Sequence, residues 1–544
     1  MRSRASFALL LGALCFGVSP RTPAADPAKP MSPADLDRAL LAEIKAKSEI
    51  MKNLQYLSDS IGGRLTGSAA LEKANKWTAE KMKAYGLTNV RLEPWEIPYG
   101  WERGHATMKI VEPNTNLPLL IASAGWAPGT KGKVTGDVVV LTARTKKDLE
   151  AYKGKLKNAV ILRSPPSKVA PISDLSYLGQ RPETKKDEPK KDAEPKKDAE
   201  PKKKDTKIDE VDFVAAQPPK DPKEQPKEQP KEQPKEQPKK GGDFFGFQTE
   251  LNDFLKAEGA ACVVSDSGKP HGLLVTTGGW NRTGDRAAAE DGIARVFMAH
   301  EHYALLYRLA SREGAKTRVE TDISNKFVAG PITVYNTIGE VRGSEKPDEI
   351  VVVGAHLDSW ELGSGTTDNG TGSCVVLETA RVVAAMAKAG NGPKRTIRFC
   401  LFTGEEQGLW GSKKYVEKYK DDLPKHSLAI VHDTGTGKVT GFGLQGRTVL
   451  KPIMDKELEG LKDLDGWKGL TMGGIGGGTD HWPFHLAGVP GFACNQDVDE
   501  YRLTHHTQSD TFDKAKEPNL IQGAQVMTIT AMRVANLPEL LPRK

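Results

Sequence analysis

The sequence predicts an α/β protein: a mostly parallel central sheet flanked by helices, with a smaller domain inserted into it. Three observations carry this. Short apolar runs at 350–354, 396–402 and 429–431 lack strict alternation, so they read as strands buried on both faces. Between and after them lie segments with helical spacing, 372–389 and 450–461, the alternation that covers a sheet with helices on both sides. Residue types that bind metals recur where the apolar runs end or the chain turns: His356 with Asp358, Asp368, Glu405-Glu406, Asp433 and His506. Strand ends are where such a sheet presents side chains to a cleft.

Residues 1–25 combine a basic start, an apolar run over 5–18 and a small-residue ending at Ala24-Ala25. This is the pattern of a cleaved signal peptide, and the run is too short for a permanent span. A soluble, exported mature chain is expected, secreted or periplasmic, with no integral membrane segment. Ser32-Pro33-Ala34-Asp35 then starts a helix, with Ser as N-cap and Pro in the first turn. The turn Gly-Gly-Arg-Leu-Thr-Gly-Ser at 62–68 precedes a second helix over 69–85, and a strand follows over 90–97.

From about residue 130 the texture changes. Short strands are predicted at 138–141, 159–162 and 261–264, and a helix at 299–313 closes the region. It is assigned as an inserted domain, 129–318, between two parts of the main domain, 26–128 and 319–544. Within it, 183–241 consists of Lys-Lys-Asp-Ala-Glu-Pro units followed by Pro-Lys-Glu-Gln repeats. With so few apolar residues it cannot repay the entropy of folding. A long flexible insertion adds closure entropy only logarithmically. Replacing 183–241 by a short Gly-Ser linker is therefore expected to leave the melting temperature nearly unchanged; a large drop in a thermal melt would mean that the segment packs on the core. A strand at 491–494 and a helix at 520–537 end the main domain.

The chain has 544 residues, a hydrophobic content of 38 % and a net charge of +7. The lysines are interleaved with acids and no basic patch with aromatics stands out, so no nucleic-acid partner is expected. Beyond the leader there are four cysteines, Cys262, Cys374, Cys400 and Cys494. Their spacing is not that of a disulfide scaffold or a zinc finger, and buried free thiols are the reading.

Imidazole and carboxylate without thiolate suit zinc in a catalytic rather than a structural site. On extended chain His356 and Asp358 point the same way, so Asp358 is placed to accept the imidazole N–H that faces away from a metal. Asp368 lies just before a helix, where an N-cap is the ordinary alternative. Adjacent Glu405 and Glu406 diverge, so one can hold a metal while the other acts as general base. Taken alone, each is matched by an ordinary role; together they point to one metal centre.

These motifs resemble the co-catalytic di-zinc exopeptidases, the family of bacterial leucine aminopeptidases and glutamate carboxypeptidases, and within it the carboxypeptidase Q branch. The resemblance rests on His356 to Trp360, Glu405 to Gly408, Gly478-Thr479-Asp480 before Ala487 to Gly491, and His505-His506 before Ser509-Asp510-Thr511. It covers about 31–128 and 319–541, with the inserted region resembling a protease-associated domain. It implies the zinc exopeptidase fold and two zinc ions per chain. One zinc would take His356 and Asp433, the other Glu406 and His506, and Asp368 would bridge, with a cis bond after it. Glu405 would be the general base and Asp358 would orient His356.

The substrates implied are short peptides or dipeptides, with amino- versus carboxypeptidase specificity open. Arg502 is the candidate clamp for a substrate carboxylate and His505 a donor to the oxyanion. The glycine run at 473–478 followed by Asp480 and His481 is expected to line the cleft. A homodimer stays open. The rival readings are a glutaminyl cyclase with one zinc and a binding protein without metal on the same fold.

Overall fold

The computed structural model describes residues 31–113, 115–169, 242–314, 316–473, 476–498 and 500–543. The predicted leader and the 183–241 repeats lie outside the described residues.

Two eight-stranded sheets organise the chain. In the first, the strands run in the order Thr88–Ile97, Ile332–Val341, Arg395–Phe402, Lys346–His356, His426–Val431, Gly491–Gln496, Val439–Gly443 and Gly469–Thr471. The four central strands, Arg395–Phe402 to Gly491–Gln496 in that order, are mutually parallel. Thr88–Ile97 with Ile332–Val341, Ile332–Val341 with Arg395–Phe402, and Val439–Gly443 with Gly491–Gln496 are antiparallel, and the edge strand Gly469–Thr471 runs parallel to Val439–Gly443. The sheet is therefore mixed, and its continuous parallel block is the four central strands, whose two faces are both covered.

Alternate residues of the central strands supply two cores. Val351, Val353, Phe399, Leu401 and Ile430 pack with Val375 and Val376 of helix Thr371–Lys388 and with Val526 and Ile529 of helix Glu517–Ala535. Val352, Cys400, Phe402 and Ala429 pack on the other side with Tyr415 and Phe484. Each Val, Leu, Ile or Phe among them contributes about 1.5–3 kcal/mol on full burial, so the strand ends that carry the candidate ligands rest on a rigid frame. Ser32 and Ser68 cap helices Pro33–Lys47 and Ala69–Tyr85, and Gly86 ends the latter in the left-handed region. The four cysteines are buried and free.

The second sheet joins Gly100–Glu112, Arg318–Val328, Val134–Val140, Val160–Leu162, Cys262–Asp266 and Ala294–Met298, with short strands at each edge. It has its own core of Met108, Ile110, Val160, Leu162, Val264, Val296 and Val319. Gly100–Glu112 and Arg318–Val328 pair antiparallel along most of their length. The sheet thus begins earlier and ends later than 129–318. These two long strands are rich in charge, which hid them in the sequence. An aromatic cluster that includes Trp95, Trp101, Trp126, Trp360 and Tyr99, with Trp280 and Trp410 packed against it, joins strands of both sheets. No described helix is long and apolar enough to cross a membrane.

Candidate metal centre

His356 is the last residue of the central strand Lys346–His356. Its Nδ1 lies 3.0 Å from the carbonyl oxygen of Asp358 and 3.7 Å from its carboxylate. The carbonyl, not the carboxylate, is therefore the acceptor that orients the ring, in place of the side-chain bond expected from alternation. The Asp358 carboxylate, fully buried, instead accepts from Thr66 Oγ1 at 3.0 Å and from the backbone N–H groups of Glu405 and Glu406 at 3.3 Å. It holds the turn that carries the acidic pair.

With Nδ1 fixed, His356 Nε2 faces Asp433 Oδ1 at 2.9 Å and Asp368 Oδ1 at 3.4 Å. Asp368 sits in the turn before helix Thr371–Lys388, and its bond to Asn369 is cis. The backbone N–H groups of Thr367 and Asp368 donate to Asp510, at 2.5 and 3.2 Å. Asn369 donates to the carbonyl of His432 and accepts from Gly372 N–H. With the turn so occupied, the Asp368 carboxylate is spared a capping role. Its Oδ2 lies 3.5 Å from His506 Nε2 and 3.9 Å from His505 Nε2. His506 Nε2 is in turn 2.9 Å from Glu406 Oε2.

The structure thus brings His356, Asp368, Glu406, Asp433, His505 and His506 into one centre. Two triads have donor atoms close enough to hold an ion: His356 with Asp368 and Asp433, and Asp368 with His505 and His506. The second triad contains His505, which the sequence reading placed as an oxyanion donor. His505 stacks on His506 at a ring separation of 3.7 Å. His506 has a positive φ of 59°, a region sparsely used by residues with a Cβ and associated with functional sites. Asp368 Oδ2 and Glu406 Oε1 are buried without a hydrogen-bond partner. Such atoms are costly to leave unmatched, and a cation between carboxylates and imidazoles satisfies them. The donor set fits a metal.

The electrostatics agree. Burial, reinforced by neighbouring acids against the pull of His356, pushes Glu405 and Glu406 well above the usual carboxylate range and raises Asp433. For Asp368 burial acts the same way, but the three imidazoles outweigh it and hold the group low. Burial depresses His506 to about 4. On His356 burial is outweighed by Asp433 and Glu405, and its pKa rises well above the usual value. Several acids crowded into a dry site are what a divalent cation neutralises. Glu405 is half-buried, beside the fully covered Glu406.

Arg64 was missed by sequence reasoning. It is completely buried, and its guanidinium donates to the carbonyls of Leu357, Gly62, Ser364 and Gly365 at 2.6–3.0 Å. It pins the loop between His356 and Asp368 and sets a fixed positive charge behind the acids. Its only sequence signal is an arginine inside a glycine-rich turn, which usually marks solvent exposure. Lys269 was also missed: Nζ donates to the His505 carbonyl at 2.6 Å. Burial lowers its pKa to about 8, with Asp368 and Asp510 pulling the other way.

Asp480 is buried and accepts from Ser412 Oγ at 2.5 Å. Burial first, then Asp433 and Asp358, raise its pKa to about 7 against the pull of His356 and of the Ser412 hydroxyl. His481 follows it, with Nε2 at 3.0 Å from Gln445 Nε2. Arg502 is exposed on the short helix Tyr501–Thr504. Of the glycine run, 474 and 475 lie outside the described residues.

Residues 336–531 match peptidase family M28. The chain carries a family M28 domain and is a metallopeptidase. Among its relatives is carboxypeptidase Q: the mouse protein is 27 % identical, over 92 % of this chain and 88 % of its own. The human one is 26 % identical over the same shares. In fold the chain is similar to a peptidase M28 precursor from Shewanella amazonensis, with a TM-score of 0.68, 22 % identity, and 94 % and 99 % of the two chains covered. A zinc aminopeptidase from Bacillus subtilis gives a TM-score of 0.56 at 20 % identity, covering 89 % of this chain and 93 % of that one.

Proposed function

We propose that this chain is an exported zinc exopeptidase that hydrolyses short peptides or dipeptides with two zinc ions and Glu405 as the base. The observation that carries this reading is the Asp368 carboxylate, with one oxygen toward His356 and the other toward His506. A carboxylate so divided suits two ions. His356 and Asp433 would hold one, Glu406 and His506 the other, with Asp368 shared; His505 is within reach of the second. The zinc named in the Bacillus subtilis relative supports the choice of metal, and the leader-like first residues support export. When bound, the ions polarise the scissile carbonyl and make water acidic enough to attack near neutral pH.

The residues then divide the work. Glu405, held by its N–H on Asp358 and raised in basicity by its surroundings, takes the proton of the attacking water and passes it to the leaving amine. Glu406 is turned to His506 instead. Asp358 fixes both glutamates through backbone bonds, so it acts on orientation and not on the proton.

Metal analysis of the purified protein together with a dipeptide hydrolysis assay tests this reading. Two zinc ions per chain and hydrolysis are expected. One zinc with cyclisation of N-terminal glutamine would favour the cyclase reading, and no metal a binding protein. Amino- versus carboxypeptidase specificity turns on what holds the substrate's charged end.

A further inference from the structure

We propose that Gln407, with Trp360 and Glu361, forms a side-chain subsite beside the metal centre that selects peptides carrying an asparagine or glutamine carboxamide next to the scissile bond. This inference rests on the peptidase reading above and gives it a side-chain specificity.

The observation is a set of polar atoms left without partners. Both amide atoms of Gln407, the indole nitrogen of Trp360 and Oε2 of Glu361 are buried and make no hydrogen bond among the described residues. Each is costly to leave unmatched. Four such atoms on three residues that flank candidate metal ligands need one explanation. Gln407 follows Glu405 and Glu406, and Trp360 and Glu361 follow Asp358 in the loop that leads to Asp368.

Two segments around 123–125 and 276–279, from the region of the second sheet, bring the three residues together. Arg103 donates to Glu361 Oε1 at 2.7 Å and, through its other nitrogens, to the Ser123 carbonyl and to Thr276 Oγ1. The ring edge of Trp360 lies on Gly125, where a Cβ would stand 2.7 Å from Cζ3. Gly125 bridges to Gly278, and a Cβ on the next glycine, Gly279, would stand 3.6 Å from Cβ and Cγ of Gln407. The same segment reaches the metal centre: Thr276 N–H donates to the His506 carbonyl at 3.0 Å. Trp360 also meets the His506 imidazole edge-on, with ring centroids 6.0 Å apart. Trp410 Nε1 donates to the Gln407 carbonyl at 3.0 Å, which fixes the backbone from which the amide projects. Trp280, 5.8 Å from Trp410 between centroids, adds a second aromatic wall.

The unmatched set mixes donors and acceptors. Trp360 and the Gln407 NH2 group donate; Gln407 Oε1 and Glu361 Oε2 accept. A carboxamide presents the complement in one planar group, a carbonyl oxygen beside an NH2. An apolar side chain would strand every one of these atoms. A carboxylate would face Glu361, and a cation has no acceptor for the Trp360 and Gln407 donors. Sites that hydrogen-bond a substrate group discriminate strongly, because the wrong substrate leaves their own buried polar atoms unpaired.

The test uses full-length holoenzyme and the unblocked dipeptides Asn-Ala, Leu-Ala, Ala-Asn and Ala-Leu, in which Asn and Leu have similar shapes. In one of the two orders, wild-type enzyme is expected to prefer Asn over Leu by about ten- to a hundredfold in kcat/KM. Gln407→Met keeps the length of the side chain and removes the amide. It is expected to lower that ratio about tenfold or more with zinc content at the wild-type level. Trp360→Phe, which removes the indole N–H, should lower the same ratio. Wild-type enzyme that treats Asn and Leu alike in both orders, or prefers Leu, would overturn the proposal, as would Gln407→Met with the wild-type ratio. If Gln407→Met does not fold, Gln407→Glu, which loses the donors and keeps an acceptor, is read in its place with the same fall expected. Wild-type enzyme inactive on all these dipeptides would instead sink the peptidase reading itself.

Discussion

Glu405→Gln is expected to retain its metals and to lose between about a hundredfold and ten-thousandfold in kcat, the range that a positioned general base supplies. The substitution is close to isosteric and keeps the backbone N–H that bonds Asp358, so the turn should stay in place. Glu406, the candidate ligand, is untouched and remains 2.9 Å from His506. What disappears is the ability to take a proton. The wild-type group is suited to that task because burial and the surrounding acids raise its basicity, and it is half-buried where its neighbour is covered. Two measurements are needed together. Zinc content and the melting temperature should match wild type while kcat falls with little change in KM. A variant with full metal and most of its turnover would remove Glu405 from the mechanism and leave Asp480, a buried acid in its field that is not among the candidate ligands, as the candidate.

Much of this centre was legible because its residues obey two sequence rules at once. His356 and Glu405 follow apolar runs that read as strands, and in the structure His356 ends Lys346–His356 while Glu405 lies three residues beyond the end of Arg395–Phe402. The first helix was legible through its Ser32 cap and Pro33, and the helix over 69–85 through the glycine-rich turn that precedes it. Pairings set by distant parts of the chain were not legible. The sheet's antiparallel flanks depend on Thr88–Ile97 meeting Ile332–Val341 across more than two hundred residues, and no local pattern states that. Arg64 and Lys269 escaped for a related reason. A lone cation in a loop is ordinarily solvated, and only folding shows one walled in by four carbonyls and the other aimed at a histidine backbone. Asp358 shows a finer limit: alternation predicted that it would face the imidazole, but the strand has ended by that point, and its carbonyl takes the role.

Chelating the metals is expected to cost stability, and the cost should grow as pH rises from about 5.5 to 7.5. The sign follows from the acids. In metal-free protein Asp480 is pushed up to about 7, and Glu405, Glu406 and Asp433 also stand above their ordinary values. A folded state with raised acid pKa values binds more protons than the unfolded chain. Its stability is therefore fully present below about pH 4 and is lost as pH climbs toward the raised values, by roughly 1.4 kcal/mol per unit and group. His356, raised in the fold, adds a loss of the same sign above about 6.5. His506, depressed to about 4, works the other way only between that value and the ordinary histidine range. The acids and His356 therefore dominate near neutrality. With metals bound, the ligands are ionised and paired, and binding strengthens as protons leave. Melting curves of holo- and EDTA-treated protein at several pH values measure the effect. The gap between the two should widen with pH. A gap that is constant or that narrows would mean that these carboxylates do not share one buried, metal-neutralised site.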